Sequence, residues 1–281
     1  MQRNIQVLIE RRRMNFRKRT LTAIVLLSMV FVSIQYLPSL AYFVVIQAII
    51  IAALIEFYNL PNKKGIYPNK TLGFAIALII SASFFVEALS LAVALFLSLL
   101  VGVIVYVVTT DEAEKVIHFP ESIALTYFGP LYLSFTLNYI FTLREEMGPE
   151  YVYFILAVIF VGDTGAYLVG KKWGKRKMAP RASPNKTWEG AVSGSASAVL
   201  AGLIAQCLLL PHMAMGNAVL IAFLAHLIAQ FSDPLESLFK RAVKVKDSSG
   251  LLPGHGGFLD RVDSLILGVP AFYYLLLLLG L

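Results

Sequence analysis

Apolar residues fill nine long runs of this chain, at 21–38, 40–58, 71–87, 89–109, 121–143, 151–171, 188–210, 216–232 and 262–281. The runs lack the alternation of a strand, and most approach the roughly 20 residues a spanning helix needs. In lipid only helices and closed barrels satisfy the backbone. The pattern therefore predicts an all-α, polytopic helical integral membrane protein with about nine transmembrane helices. The junctions at Pro38-Ser39 and from Glu87 to Ser90 are tight and predict antiparallel pairs of neighbouring helices.

The polar segments orient the runs. With the N-terminus in the cytoplasm and every run crossing, the inner segments are 1–20, 59–70, 110–120, 172–187 and 233–261. These carry Lys63, Lys64, Lys70, Lys115, the basic residues from Lys172 to Lys186 and those from Lys240 to Arg261. The outer segments carry Arg144 alone. Basic residues favour the cytoplasmic side, so count and orientation support each other. Merging one tight pair into a single bent element gives eight spans and puts basic loops on opposite faces. The chain divides into a basic leader at 1–20, about five spans at 21–143 and a C-terminal region of about four spans at 144–281. The first run is too long for a signal-peptide core and lacks a small-residue cleavage site, so it is expected to be retained.

Composition adds that 58% of the 281 residues are hydrophobic and 15% charged, against about 25% charged in soluble domains. The net charge of +7 then reads as topology and attraction to anionic lipid headgroups, with no nucleic acid implied. Cys207, the only cysteine, rules out an intrachain disulfide and is expected to pack among apolar neighbours. Gly190, Gly194, Ala198 and Gly202 recur every four residues, a small-residue stripe suited to close helix packing.

Chemistry gathers in the C-terminal half. Asp163 sits inside the sixth run between Gly162 and Gly165, and a carboxylate at that depth is a functional candidate by default. Ser183 or Thr187 is placed to cap the seventh helix, with Glu189 in its first turn. Lys186 beside that helix start makes an anion site. Pro234 predicts a break in the eighth helix near Asp233. Lys240 and Lys244 share a face if that helix continues. From Lys246 to Asp263 the chain combines acids, bases, His255 and the glycines Gly250, Gly254, Gly256 and Gly257. Asp260 and Asp263 are three apart and share a helix face. With Asp233 and Asp163 they make an oxygen-rich set of the kind Mg²⁺ takes together with substrate phosphates. Taken singly, Arg261 can be an ion-pair partner of either aspartate and His255 a hydrogen-bonded loop residue. His118, His212 and His226 have no partners at ligand spacing and read as structural.

Ser237-x-Phe239-Lys240-Arg241, then Lys246-Asp247, then Leu252-Pro253-x-His255-Gly256-Gly257-Phe258-x-Asp260-Arg261-Val262-Asp263 resembles the signature of the phosphatidate cytidylyltransferases, the CDP-diacylglycerol synthases. Ser183 to Gly190 and Gly162 to Tyr167 are similar to the family too, with Asn185 where a lysine is expected. The specific resemblance covers about residues 160–264. It implies transfer of CMP from CTP to phosphatidate in the bilayer, with loss of pyrophosphate. It further implies that Asp163, Asp233, Asp260 and Asp263 hold Mg²⁺, with room for a second cation. Asp233, Asp260, Asp263, Lys246 and Arg261 would carry catalysis. Lys186, Lys240 and Arg241 would contact nucleotide phosphates, and His255, Gly256 and Gly257 would shape the nucleotide pocket. A homodimer and an inner-membrane location with the site facing the cytoplasm are expected from the family's bacterial form. The alternatives are a transporter or channel using Asp163, or another membrane lipid phosphotransferase.

Overall fold

A computed structural model describes residue 25 and residues 27–110, 116–249 and 256–281. The basic leader at 1–20, Lys115 and His255 lie outside the described residues. Each apolar run coincides with a helix. These are α1 (Leu27–Tyr36), α2 (Ser39–Asn62), α3 (Lys70–Phe85), α4 (Leu91–Thr109), α5 (Phe119–Leu137), α6 (Pro149–Trp173), α7 (Trp188–Leu209), α8 (Met215–Ala229) and α10 (Leu259–Leu278). Between the last two lies the amphipathic α9 (Ser232–Ala242). Among the described residues, 6 helices are long and apolar enough to cross a membrane, α8 and α9 counting together as Met215–Ala242, while α1 and α3 are shorter apolar helices. The chain is thus a many-helix integral membrane protein.

Local chemistry sets the helix starts. The Asn69 side chain accepts from the Leu72 amide at 3.0 Å and opens α3. Ser90 does the same for α4 through Val93 at 3.4 Å. Thr187, one of the two expected caps, accepts from the Gly190 amide at 3.2 Å and opens α7, while Ser183 lies in a strand. Gly148, at φ 111, precedes α6, whose first residue is Pro149, where the missing amide hydrogen costs nothing.

Outward faces carry exposed Val, Leu, Ile and Phe on several helices, as lipid requires. Inside, polar contacts tie helices together. Gln47 on α2 donates to Asn138 at 2.8 Å, and Asn138 donates to Ser81 on α3 at 2.9 Å. Tyr58 on α2 donates to the Thr126 carbonyl of α5 at 2.8 Å. The expected small-residue stripe does its work between α6 and α7. A Cβ on Gly190 would lie 2.8 Å from the Ala166 carbonyl oxygen, and one on Gly165 would meet Ser197 Oγ at 2.1 Å. The two backbones therefore pack at a separation only glycine permits.

Four expectations change. Lys177–Ala179 and Ser183–Thr187 form an antiparallel hairpin, β1 and β2. Its polar strands are too short to show a period, and Pro184 is tolerated because a two-stranded ribbon has only edges. Cys207 is exposed. It follows the buried Gln206, which continues the inward stripe, so its own position turns outward. Lys240 and Lys244 do not share a helix face, because α9 ends at Ala242. His226 has a partner distant in sequence, described below. The expected break does occur: α8 stops at Ala229 and α9 starts at Ser232, with Pro234 in the first turn, where helices accept it.

Candidate active site

α9, the start of α10, the β hairpin and the middle of α6 place most of the candidate residues in one region. Asp233, in the first turn of α9, forms an ion pair with Lys186 of β2 at 3.0 Å. It also accepts from Ser237 Oγ at 3.2 Å. Lys186 reaches the Gln230 carbonyl at 3.3 Å as well, so the hairpin closes over the break between α8 and α9. Arg241 extends this docking by donating to the carbonyls of Ala182 at 3.4 Å and Val245 at 2.9 Å.

Ser264 links two further carboxylates. Its hydroxyl donates to Asp163 on α6 at 2.7 Å, and its amide donates to Asp263 at 2.8 Å. Asp263 lies within electrostatic reach of Asp233, Asp163 and Lys240. Asp163 and Asp263 thus share the Ser264 hydroxyl across two helices, with Asp233 of a third helix within electrostatic reach of Asp263.

Behind them sits Lys240, buried between Glu236 one turn earlier and Asp260 at 2.7 Å. Asp260 is heavily used. Its oxygens accept from Lys240 at 2.7 Å, from the Ser248 amide and hydroxyl at 3.1 and 2.9 Å, and from the Gly257 amide at 2.9 Å. A carboxylate has about four lone-pair positions, and here protein donors occupy them. Gly256 adopts φ 80, and a Cβ on Gly257 would lie 2.1 Å from Ser248 Oγ. Both glycines are therefore demanded by the backbone turn into α10. Lys246 and Arg261 are exposed beside the site.

Three participants were not assigned from the sequence. Glu56 on α2 is 4% exposed and accepts hydrogen bonds from residues on both sides of the segment before α10. It was legible as the sole charged residue of the second apolar run. Glu236 lies within the stretch around Asp233. His226 is fully buried, with Nε2 3.7 Å from Asp163 Oδ1. The Gln230 amide nitrogen faces the Ala191 carbonyl at 3.3 Å and His226 Nδ1 at 3.0 Å. The same amide nitrogen also meets Ser195 Oγ at 3.0 Å, and Nε2 makes no hydrogen bond in its buried position beside Asp163.

The donors available for a cation are hard oxygens, the type Mg²⁺ prefers. Among the described residues no three His, Cys, Asp or Glu side chains form a ready ligand set. Mg²⁺ commonly uses one or two carboxylates and completes its shell with phosphates and water, a demand that one or two of Asp163, Asp233 and Asp263 would meet.

Comparison with known proteins places the chain in a family. The model of the cytidylyltransferase family matches residues 17–279. A phosphatidate cytidylyltransferase of Bacillus subtilis is 32% identical over 272 residues, covering 94% of this chain and 98% of that protein. One from Brucella suis is 42% identical over 147 residues, 52% of this chain and 54% of that protein. One from Staphylococcus epidermidis is 38% identical over 146 residues, 52% of this chain and 56% of that protein. With a family match spanning nearly its whole length and one relative aligned almost end to end, the chain belongs to the cytidylyltransferase family.

Proposed function

We propose that this protein is a phosphatidate cytidylyltransferase, which makes CDP-diacylglycerol and pyrophosphate from CTP and phosphatidate. The observation that carries the reading is the grouping of Asp163, within α6, and of Asp233 and Asp263, near the starts of α9 and α10, with Lys186 and Lys240. A phosphate oxygen of the lipid forms a bond to the α-phosphorus of CTP while the bond from that phosphorus to the bridging oxygen of the leaving pyrophosphate breaks. A phosphate monoester is already an anionic nucleophile near neutral pH, so the barrier falls mainly through positioning and charge.

Each group then has a role. Carboxylates of the set Asp163, Asp233 and Asp263 would hold Mg²⁺, while the oxygens of Asp260 are engaged by protein donors. When bound, the cation supplies neutralisation of attacking and leaving phosphate oxygens. Lys186 and Arg241 meet nucleotide phosphates from the hairpin side. Lys240, Lys246 and Arg261 add positive charge where pyrophosphate develops. Gly256 and Gly257 keep backbone close to the nucleotide. The active site faces the cytoplasm of a bacterial inner membrane, so that CTP arrives from water while acyl chains remain in lipid. The basic loops support this orientation.

The test is purified protein in detergent with phosphatidate, labelled CTP and Mg²⁺, following both products, with EDTA and Asp260→Asn controls. Metal-dependent CDP-diacylglycerol that disappears in both controls is expected. Folded protein that yields no product with CTP would sink the reading and direct attention to transport.

A further inference from the structure

Glu56 belongs to α2, roughly two hundred positions before the residues it touches, and lies in the half of the chain with no candidate chemistry of its own. Its carboxylate is divided between two pairs of donors. Oε1 accepts from Ser249 Oγ at 2.6 Å and the Phe258 amide at 3.1 Å. Oε2 accepts from Ser248 Oγ at 2.8 Å and the Leu259 amide at 2.9 Å. The first residues of a helix leave amide hydrogens without intrahelical partners, and Phe258 provides no side-chain cap for α10. A buried anion from another helix fills that place and also favours the positive end of the α10 dipole.

Resting on the transferase reading above, we infer that Glu56 is a positioning residue of the reaction. It fixes the two ends of the segment between Ser249 and Phe258 and thereby sets the direction in which α10 presents Asp260 and Asp263. The argument is one of chemistry as well as packing. Four donors converge on two oxygens, the Ser248 hydroxyl being shared with Asp260, and a carboxylate can accept from all of them. The isosteric amide turns one oxygen into a donor, which opposes the backbone amide on that side and forces the facing hydroxyl to turn and accept. Gly257 lies against the same group, since a Cβ there would meet Glu56 Oε2 at 2.2 Å. The first apolar helices of the chain therefore contribute to the geometry of the site and do more than hold it in lipid.

The experiment compares wild type, Glu56→Gln and Glu56→Asp as full-length protein in detergent, with CTP, phosphatidate and Mg²⁺. Removing such an outer contact typically costs about 10–100-fold in activity. The expected result for Glu56→Gln is a loss of that size in kcat, with KM for both substrates close to wild type and a lowering of the melting temperature that leaves the protein folded under assay conditions. Glu56→Asp, which keeps a carboxylate, should recover part of the loss. Wild-type kcat in Glu56→Gln overturns the inference. So does a loss that tracks a fall in melting temperature and is the same for Gln and Asp, because that is scaffolding alone. If Glu56→Gln does not fold, Ser249→Ala removes one donor and leaves the carboxylate, and an unchanged kcat there overturns the inference. A wild-type protein inert toward CTP and phosphatidate refutes the transferase reading and takes this inference with it.

Discussion

Lys186 of the β hairpin and Asp233 of α9 stand 3.0 Å apart, with side chains 26% and 32% exposed. An ion pair this open contributes only about 0–1 kcal/mol to stability. Lys186→Met is therefore expected to melt near the wild-type temperature. Its kcat/KM for CTP should nonetheless fall by about 100-fold or more, the scale of losing one charge-stabilising donor. Paired thermal melts and Michaelis kinetics check both halves, and Lys186→Arg should retain part of the activity.

Lys240 is a different case, because its two carboxylate partners are themselves nearly buried. Lys240→Met leaves Glu236 and Asp260 without their shared counter-charge. Breaking such a buried pair costs about 3–5 kcal/mol. The double variant Lys240→Met with Glu236→Gln should be more stable than the sum of its single changes, since residues in one network couple. Unfolding in detergent measures the coupling, and simple additivity would show that the two side chains do not interact.

Asp260 and Asp263 should separate in their response to Mg²⁺. Asp263→Asn is expected to raise the Mg²⁺ concentration giving half-maximal rate, because its carboxylate approaches Asp163 and Asp233. Asp260→Asn should lower the melting temperature as well as the rate, since it loosens Lys240, Ser248 and Gly257 together. Mg²⁺ titrations after EDTA treatment, run beside melting curves, distinguish the two roles.

Lys244 takes φ 59 at the end of α9. Its amide bonds to the Arg241 carbonyl at 3.0 Å and the Val245 amide to the Lys240 carbonyl at 3.0 Å. This is a Schellman ending in which glycine is the usual occupant. A side chain in the left-handed region costs about 1–2 kcal/mol, and glycine's extra freedom when unfolded returns roughly 0.5–1 kcal/mol of that. Lys244→Gly should therefore raise stability by up to about 1 kcal/mol. A lower melting temperature would show that the lysine side chain contributes a contact of its own.

Much of the helical framework can be read from the chain because lipid tolerates few alternatives. Thr187 and Pro234 likewise mark a helix start and a helix break through purely local chemistry. Asp163, Asp233 and Asp263 stand out as carboxylates at the ends of or within apolar runs, although which oxygens they turn toward one another depends on helix rotation. Glu56 and His226 were harder. The partners of Glu56 lie far along the chain, 192 positions away for Ser248, and Asp163, 3.7 Å from His226, belongs to another helix. The hairpin lacks any periodic pattern, and its stability comes from docking Lys186 and Arg241 onto the α8–α9 break.

Ser248 Oγ lies 2.8 Å from Glu56 and 2.9 Å from Asp260. A hydroxyl owns a single hydrogen, so it cannot fully satisfy both carboxylates at once. The two acids, one from each half of the chain, compete for it, and the loser is left richer in negative charge. A turn of Asp260 away from Ser248 would leave that hydrogen to Glu56. A rotation of one hydroxyl thus gives the two halves of the molecule a way to register each other's state without moving a helix.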